Sequence, residues 1–173
     1  NLTHGYQEIK STLLFSNSFV QSSVMIRSSI LAEMPYDISF PVSEDYELWT
    51  RVVEKYKVEN IPQHLTYYRW HDSNISKTKK DLLDSTAKKI YQKGLSHIGL
   101  APTKEELEIQ FGIQNNDEAL IGNKEYLCKL RMWMKKLHKA NNNVRYYDIS
   151  SFNAIICFRW IFACKERKMY SKM

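Results

Sequence analysis

The sequence predicts a mixed α/β segment followed by an all-helical one. Short runs rich in β-branched and aromatic residues lie in the first half, at Ser23–Arg27, Lys57–Ile61 and Leu65–Trp70. From Asp81 onward, apolar residues recur at helical spacing almost without a break. Only 5 Gly and 4 Pro punctuate the 173 residues, which argues against a loop-rich or all-β design.

Taken in order, residues 1–10 are polar and read as a loop. Ser23–Arg27 reads as a strand, with a helical turn at Ser28–Glu33 after it. Met34–Val42 is broken by Pro35 and Pro41, each lacking a backbone donor and restricting its predecessor, so an irregular connection is expected. Glu44–Tyr56 sets Leu48, Trp49, Val52, Val53 and Tyr56 at helical spacing, with Ser43 in position to cap it. Two further β-prone runs follow, separated by Pro62, and then the polar stretch "DSNISKTKKD". The change of character places a boundary at about residue 76, giving a mixed part, 1–76, and an α-helical extension, 77–173. In the extension, Leu82, Leu83, Ala87, Ile90, Tyr91, Leu95 and Ile98 form one stripe. Thr103 and Glu106 have the spacing of a capping box, in which each side chain satisfies the other's free backbone amide. Helices are also expected over Asn123–Ala140 and Ser150–Arg167.

A hydrophobic share of 43% excludes a disordered chain. The net charge of +6 permits attraction to phosphates or to an anionic membrane surface without specifying either. Nucleic acid is disfavoured as a partner, because Lys and Arg are interspersed with acids and no nucleic-acid motif occurs. Cys128, Cys157 and Cys164 lack metal-type spacing. Cys157 and Cys164, seven apart on a helix, read as buried thiols of a reducing compartment, which makes the expected location cytoplasmic. The apolar run Ala154–Cys164 is interrupted by Arg159 and is too short to span a bilayer.

Two places carry candidate chemistry. Glu44 and Asp45 sit side by side where a helix begins, a position that favours ionised carboxylates whether they cap the helix or act as a base. The run ending Arg69-Trp70-His71 delivers a cation, a flat aromatic and an imidazole to one edge, as a phosphate- or metal-facing site needs and as an ordinary surface also allows.

These blocks also have an order: "SVMIR" at Ser23–Arg27, Tyr36-Asp37, "EDYELW" at Glu44–Trp49, and "YRWH" at Tyr68–His71. Over about residues 12–76 this order resembles the carboxy-terminal half of the catalytic domain of family 2 glycosyltransferases, inverting nucleotide-sugar enzymes of the GT-A fold. The resemblance implies an α/β fragment of that fold, with Asp45 as general base on the acceptor hydroxyl and Glu44 in support. Trp49 would lie beneath the acceptor sugar or in the core. Arg69 would face the diphosphate, and His71 a divalent cation, Mg²⁺ or Mn²⁺.

The family's Asp-x-Asp motif and a Gly-rich phosphate loop do not occur in this sequence. The implied protein is therefore a fragment carrying the acceptor side of the site, inactive alone and binding no cation. Its parent would transfer sugar from a nucleotide-sugar donor to a glycan or lipid-linked acceptor in bacterial capsule or lipopolysaccharide synthesis. It would be cytoplasmic, with peripheral attachment at the inner face of the membrane as an option. The competing expectation is a non-enzymatic basic helical module that binds a membrane surface or a nucleic acid.

Overall fold

The computed structural model describes residues 4–67, 69, 78–115 and 124–165. Among them there are seven α-helices and one short 3₁₀ turn, but no strand. The expected α/β fragment of a GT-A fold is thus corrected: the regular secondary structure of the described residues is all helical.

The reason lies in what a strand requires. Val24 (φ −87°, ψ 137°) and Arg27 (φ −68°, ψ 134°) do have extended backbones, as "SVMIR" predicted. An extended segment becomes a strand only when a neighbour completes its hydrogen-bond ladder, and β-propensity measures fit to such a pleated, half-buried surface. No neighbour pairs with it among the described residues. Met25, Ile61, Leu65 and Tyr67 of the three β-prone runs are all exposed. Tyr68 and Trp70 lie outside the described residues, as does the expected boundary at residue 76.

The chain packs as two units, residues 1–90 and 91–173. In the first, helix α1 (Tyr6–Thr12) forms where a loop was expected. Ile9, Ser11 and Thr12 are its buried positions, and the Tyr6 hydroxyl donates to the Val53 carbonyl at 2.7 Å. The α2 helix (Ser28–Glu33) and the irregular link after it match expectation. Helix α3 (Glu44–Lys55) buries Leu48, Trp49, Val52 and Val53 against the apolar turn Leu13–Phe15, which Tyr46 reaches by donating its hydroxyl to the Leu13 carbonyl at 2.7 Å. Burying these side chains contributes roughly 1.5–3 kcal/mol each before chain entropy is set against it. Ser43 occupies the N-cap position but makes no capping bond. Its hydroxyl pairs instead, at 2.8 Å, with Thr86 of helix α4 (Lys80–Ser96).

The second unit contains α5 (Lys104–Asn115), α6 (Lys124–Val144) and α7 (Ile149–Lys165). The capping box forms as predicted: Thr103 N–H donates to Glu106 Oε2 at 3.0 Å, and Glu106 N–H to Thr103 Oγ1 at 3.2 Å. Leu130, Trp133 and Leu137 of α6 are buried, and Trp133 Nε1–H reaches the buried Gln110 of α5 at 2.7 Å. The turn into α7 is clamped by Asn141, which accepts from the Tyr147 N–H at 2.9 Å and donates to the Tyr147 carbonyl at 3.1 Å. Cys128 and Cys157 are exposed and Cys164 is part-exposed, so the expected buried thiols are corrected. Cys157 lies on a face of α7 that no described element covers, and the compartment reading loses that support. No helix among the described residues is long and apolar enough to cross a membrane.

Candidate functional site

The start of α3 is built by its neighbours. An apolar turn, Leu13–Phe15, is buried beneath it, and the chain then passes through Ser16, Asn17 and Ser18. The Asn17 side-chain oxygen accepts from the Phe19 N–H at 3.0 Å, a local turn of the kind Asn favours. This fixes the other end of the amide, and Asn17 Nδ2 donates to Asp45 Oδ2 at 3.0 Å. The second oxygen, Oδ1, accepts from the Tyr46 N–H at 2.7 Å. Beyond the turn, the Phe19 ring lies 5.1 Å from that of Trp49.

Asp45 is half-buried, and its carboxyl is raised above the ordinary value of 3.8. Burial is the largest cause, and the adjacent Glu44 charge adds to it. The amides of Tyr46 and of Asp45 itself, with the Asn17 side chain, oppose it. The helix start thus acts on Asp45 against its burial. The helix amides favour the ionised form, but desolvation outweighs them.

The other sequence-predicted residues are placed as follows. Glu44 is exposed beside Asp45. Trp49 is 3% exposed, one turn further along α3, and its indole N–H has no hydrogen-bond partner among the described residues. Arg69 is exposed, and no hydrogen bond or ion pair joins it to Glu44 or Asp45. His71 lies outside the described residues. Among the described residues, no three His, Cys, Asp or Glu side chains converge in a way that could hold a metal ion. Asp45, held by two N–H donors and with its proton affinity raised, is equipped to accept a proton.

Asn17 escaped the sequence reading. Its only signal was turn chemistry, the Ser-Asn-Ser run that follows the apolar "LLF". Glu47 is a second omission: it is 1% exposed and held by the Arg51 guanidinium, with Nε at 2.9 and 2.8 Å from its two oxygens. Arg51 also donates to the Pro35 carbonyl at 2.8 Å, so this pair ties α3 to the proline-broken link and is a structural feature.

Over 94 residues, 53% of its length, the chain is 26% identical to an uncharacterized glycosyltransferase of Haemophilus influenzae. Over 83 residues, 46% of its length, it is 34% identical to an uncharacterized glycosyltransferase of Methanocaldococcus jannaschii. It spans 29% of the length of each relative. No family model matches the chain. No solved structure matches it either. The similarity is thus to proteins named glycosyltransferases, at low identity and over part of the chain, and the names specify neither a family number nor a fold.

Proposed function

We propose that this chain forms the acceptor side of an inverting, family 2-like glycosyltransferase, with Asp45 as the general base. The observation that carries the proposal is the fixed, half-buried carboxylate at the start of α3. Both of its oxygens are held by N–H donors and its proton affinity is raised. A base is most effective when its pKa approaches the working pH, so the lift that burial gives Asp45 suits it to take a proton from a weakly acidic sugar hydroxyl. The names of the two relatives support the reaction class.

In this reading the acceptor hydroxyl donates to an Asp45 oxygen that still has acceptor capacity. As its proton passes to Asp45, the hydroxyl oxygen attacks the anomeric carbon of a nucleotide-sugar. The bond from that carbon to the nucleoside diphosphate breaks on the opposite face, and the leaving group takes the electron pair. Configuration inverts, and Asp45 then loses the proton to solvent. Asn17 sets the direction in which the carboxylate points. Glu44 would receive further acceptor hydroxyls, and Trp49 would hold the first turn of α3 from beneath.

In this reading Arg69 and His71 are the donor-facing residues of this chain, and the rest of the donor site, with any Mg²⁺ or Mn²⁺ on the diphosphate, belongs to groups other than the described side chains. It expects the 173 residues alone to transfer no sugar, and it places the parent in bacterial surface-polysaccharide synthesis with a glycan or lipid-linked acceptor. Asp45→Asn in the intact transferase tests the base. Turnover is expected to fall roughly 10²–10⁴-fold with donor binding retained. Near-normal turnover would remove Asp45 from the mechanism.

A further inference from the structure

The turn that sets Asn17 against Asp45 is itself gripped from a third segment. Helix α1, which leads into the turn, has only seven residues and is too short to persist without tertiary support. The chain leaves α3 extended at Tyr56 (φ −123°, ψ 142°) and runs without regular structure through residues 57–60. There the half-buried Asn60 donates its side-chain Nδ2–H to the Ser18 carbonyl at 3.1 Å. Its backbone N–H donates to the His4 carbonyl at 3.2 Å. One residue thus bonds the chain on both sides of α1.

The bond to Ser18 falls on a telling group. The Ser18 carbonyl and the Phe19 N–H are the two ends of one planar peptide unit, so a bond that orients one end orients the other. That same Phe19 N–H donates to Asn17 Oδ1 at 3.0 Å, and Asn17 Nδ2 donates to Asp45 Oδ2 at 3.0 Å. Ser18 is buried, and its hydroxyl has no partner among the described residues. The Asn60 side chain, the 18–19 peptide and the Asn17 side chain are therefore three amides in head-to-tail order, all donating toward the carboxylate. Amides in such a chain polarise one another, which strengthens the last bond as well as aiming it.

We propose that Asn60 is a positioning residue for Asp45, acting through the Ser18–Phe19 peptide and the Asn17 amide. As a statement about the reaction, this rests on Asp45 being the base. As a statement about how firmly Asp45 holds its proton, it does not. The Asn17 bond lowers the Asp45 proton affinity, so removing its support should raise that affinity. Glu44 is the charged group that acts on Asp45, and Asn60→Ala alters no charge.

The test follows the Asp45 carboxyl carbon by NMR titration in the 173-residue chain. Asn60→Ala should move the midpoint to higher pH, in the direction of Asn17→Ala and by less, at unchanged helical circular dichroism. Tyr6→Phe removes a different bond between α1 and α3, the one to the Val53 carbonyl, and should leave the midpoint in place. In the unsubstituted chain, the side-chain amide signals of Asn17 and Asn60 should both follow the Asp45 titration, a readout that needs no variant to fold. In the intact transferase, Asn60→Ala should lower kcat roughly threefold to tenfold, with the donor KM unchanged and the acid limb of kcat/KM at higher pH. An Asp45 midpoint unmoved by Asn60→Ala overturns the proposal, as does an Asn60 amide signal that ignores the titration. An equal shift in Tyr6→Phe also overturns it, since general loosening would then be the cause. Failure of the catalytic reading looks different: Asp45→Asn would keep near-normal turnover while the Asn60→Ala shift persisted, which overturns the base and not the amide chain.

Discussion

Burial raises the Asp45 carboxyl while the Tyr46 amide and the Asn17 side chain pull it down, and the balance has consequences for both stability and rate. The folded state holds this proton more tightly than the unfolded chain does. The stability contributed by neutral Asp45 is therefore complete below the ordinary carboxylate value and is lost as pH rises through the raised folded value. At neutral pH the ionised group opposes folding, so Asp45→Asn should raise the thermal midpoint there while it removes turnover. That advantage should disappear in acid below the ordinary value. The acid limb of kcat/KM in the intact transferase should follow the same group. Glu44→Gln removes a neighbouring charge that raises Asp45 and should move the limb to lower pH. Asn17→Ala removes a hydrogen bond that lowers it and should move the limb to higher pH. Movement of neither limb would separate Asp45 from the rate. Asp45 was legible in the sequence because a helix start can be read from local pattern. Asn17 was not, since it lies 28 positions away and only the fold joins the two. The sign of the pKa shift was hidden for the same reason: the amides of a helix start are local, but the burial comes from distant residues.

At the scale of the element, helices were read well where they carry their own signals. The Thr103–Glu106 box and the α3 stripe are local, and both formed. The strands failed because pairing is a property of two segments, and "SVMIR" specifies only one of them. Helix α1 was missed because its one buried apolar residue, Ile9, sits in a polar run and the next, Leu13, comes only after the helix ends. Two helix ends share one backbone conformation with opposite suitability. Gly99 (φ 73°) closes α4, where the Leu100 N–H returns to the Leu95 carbonyl and the Gly99 N–H to Ser96, both at 3.0 Å. Arg145 (φ 57°) adopts the same left-handed region at the end of α6. A Cβ is disfavoured there, so Gly99→Ala should destabilise by about 1 kcal/mol. Arg145→Gly should stabilise by a few tenths to about 1 kcal/mol, less than the relief alone because Gly loses more entropy on folding. Urea unfolding midpoints check both signs, and equal signs would contradict this account.

For the molecule as a whole, apolar patterning identified the helical second half, while the first half needed tertiary contacts that no local window contains. The partition of charge was legible in the sequence but became meaningful only once the chain was seen to pack as two units, one neutral and one carrying +6. The second unit depends on the α6 core. Leu130 is fully buried, and Leu130→Ala should cost about 2–5 kcal/mol, a large part of the roughly 5–15 kcal/mol that a domain of ordinary stability holds. The expected outcome is a marked drop in the urea midpoint. A loss under about 1 kcal/mol would mean that the core closes over the gap.

The indole N–H of Trp49, without a hydrogen-bond partner among the described residues, has an optical consequence. Its ring lies against Phe19 and one helical turn from Asp45, while Trp133 already donates to Gln110. Indole emission responds to the polarity around the ring, so Trp49 is a native fluorophore at the proposed acceptor side. Loosening of the Asn17 turn that admitted water to the indole would show as a red shift in a chain from which the other tryptophans had been removed.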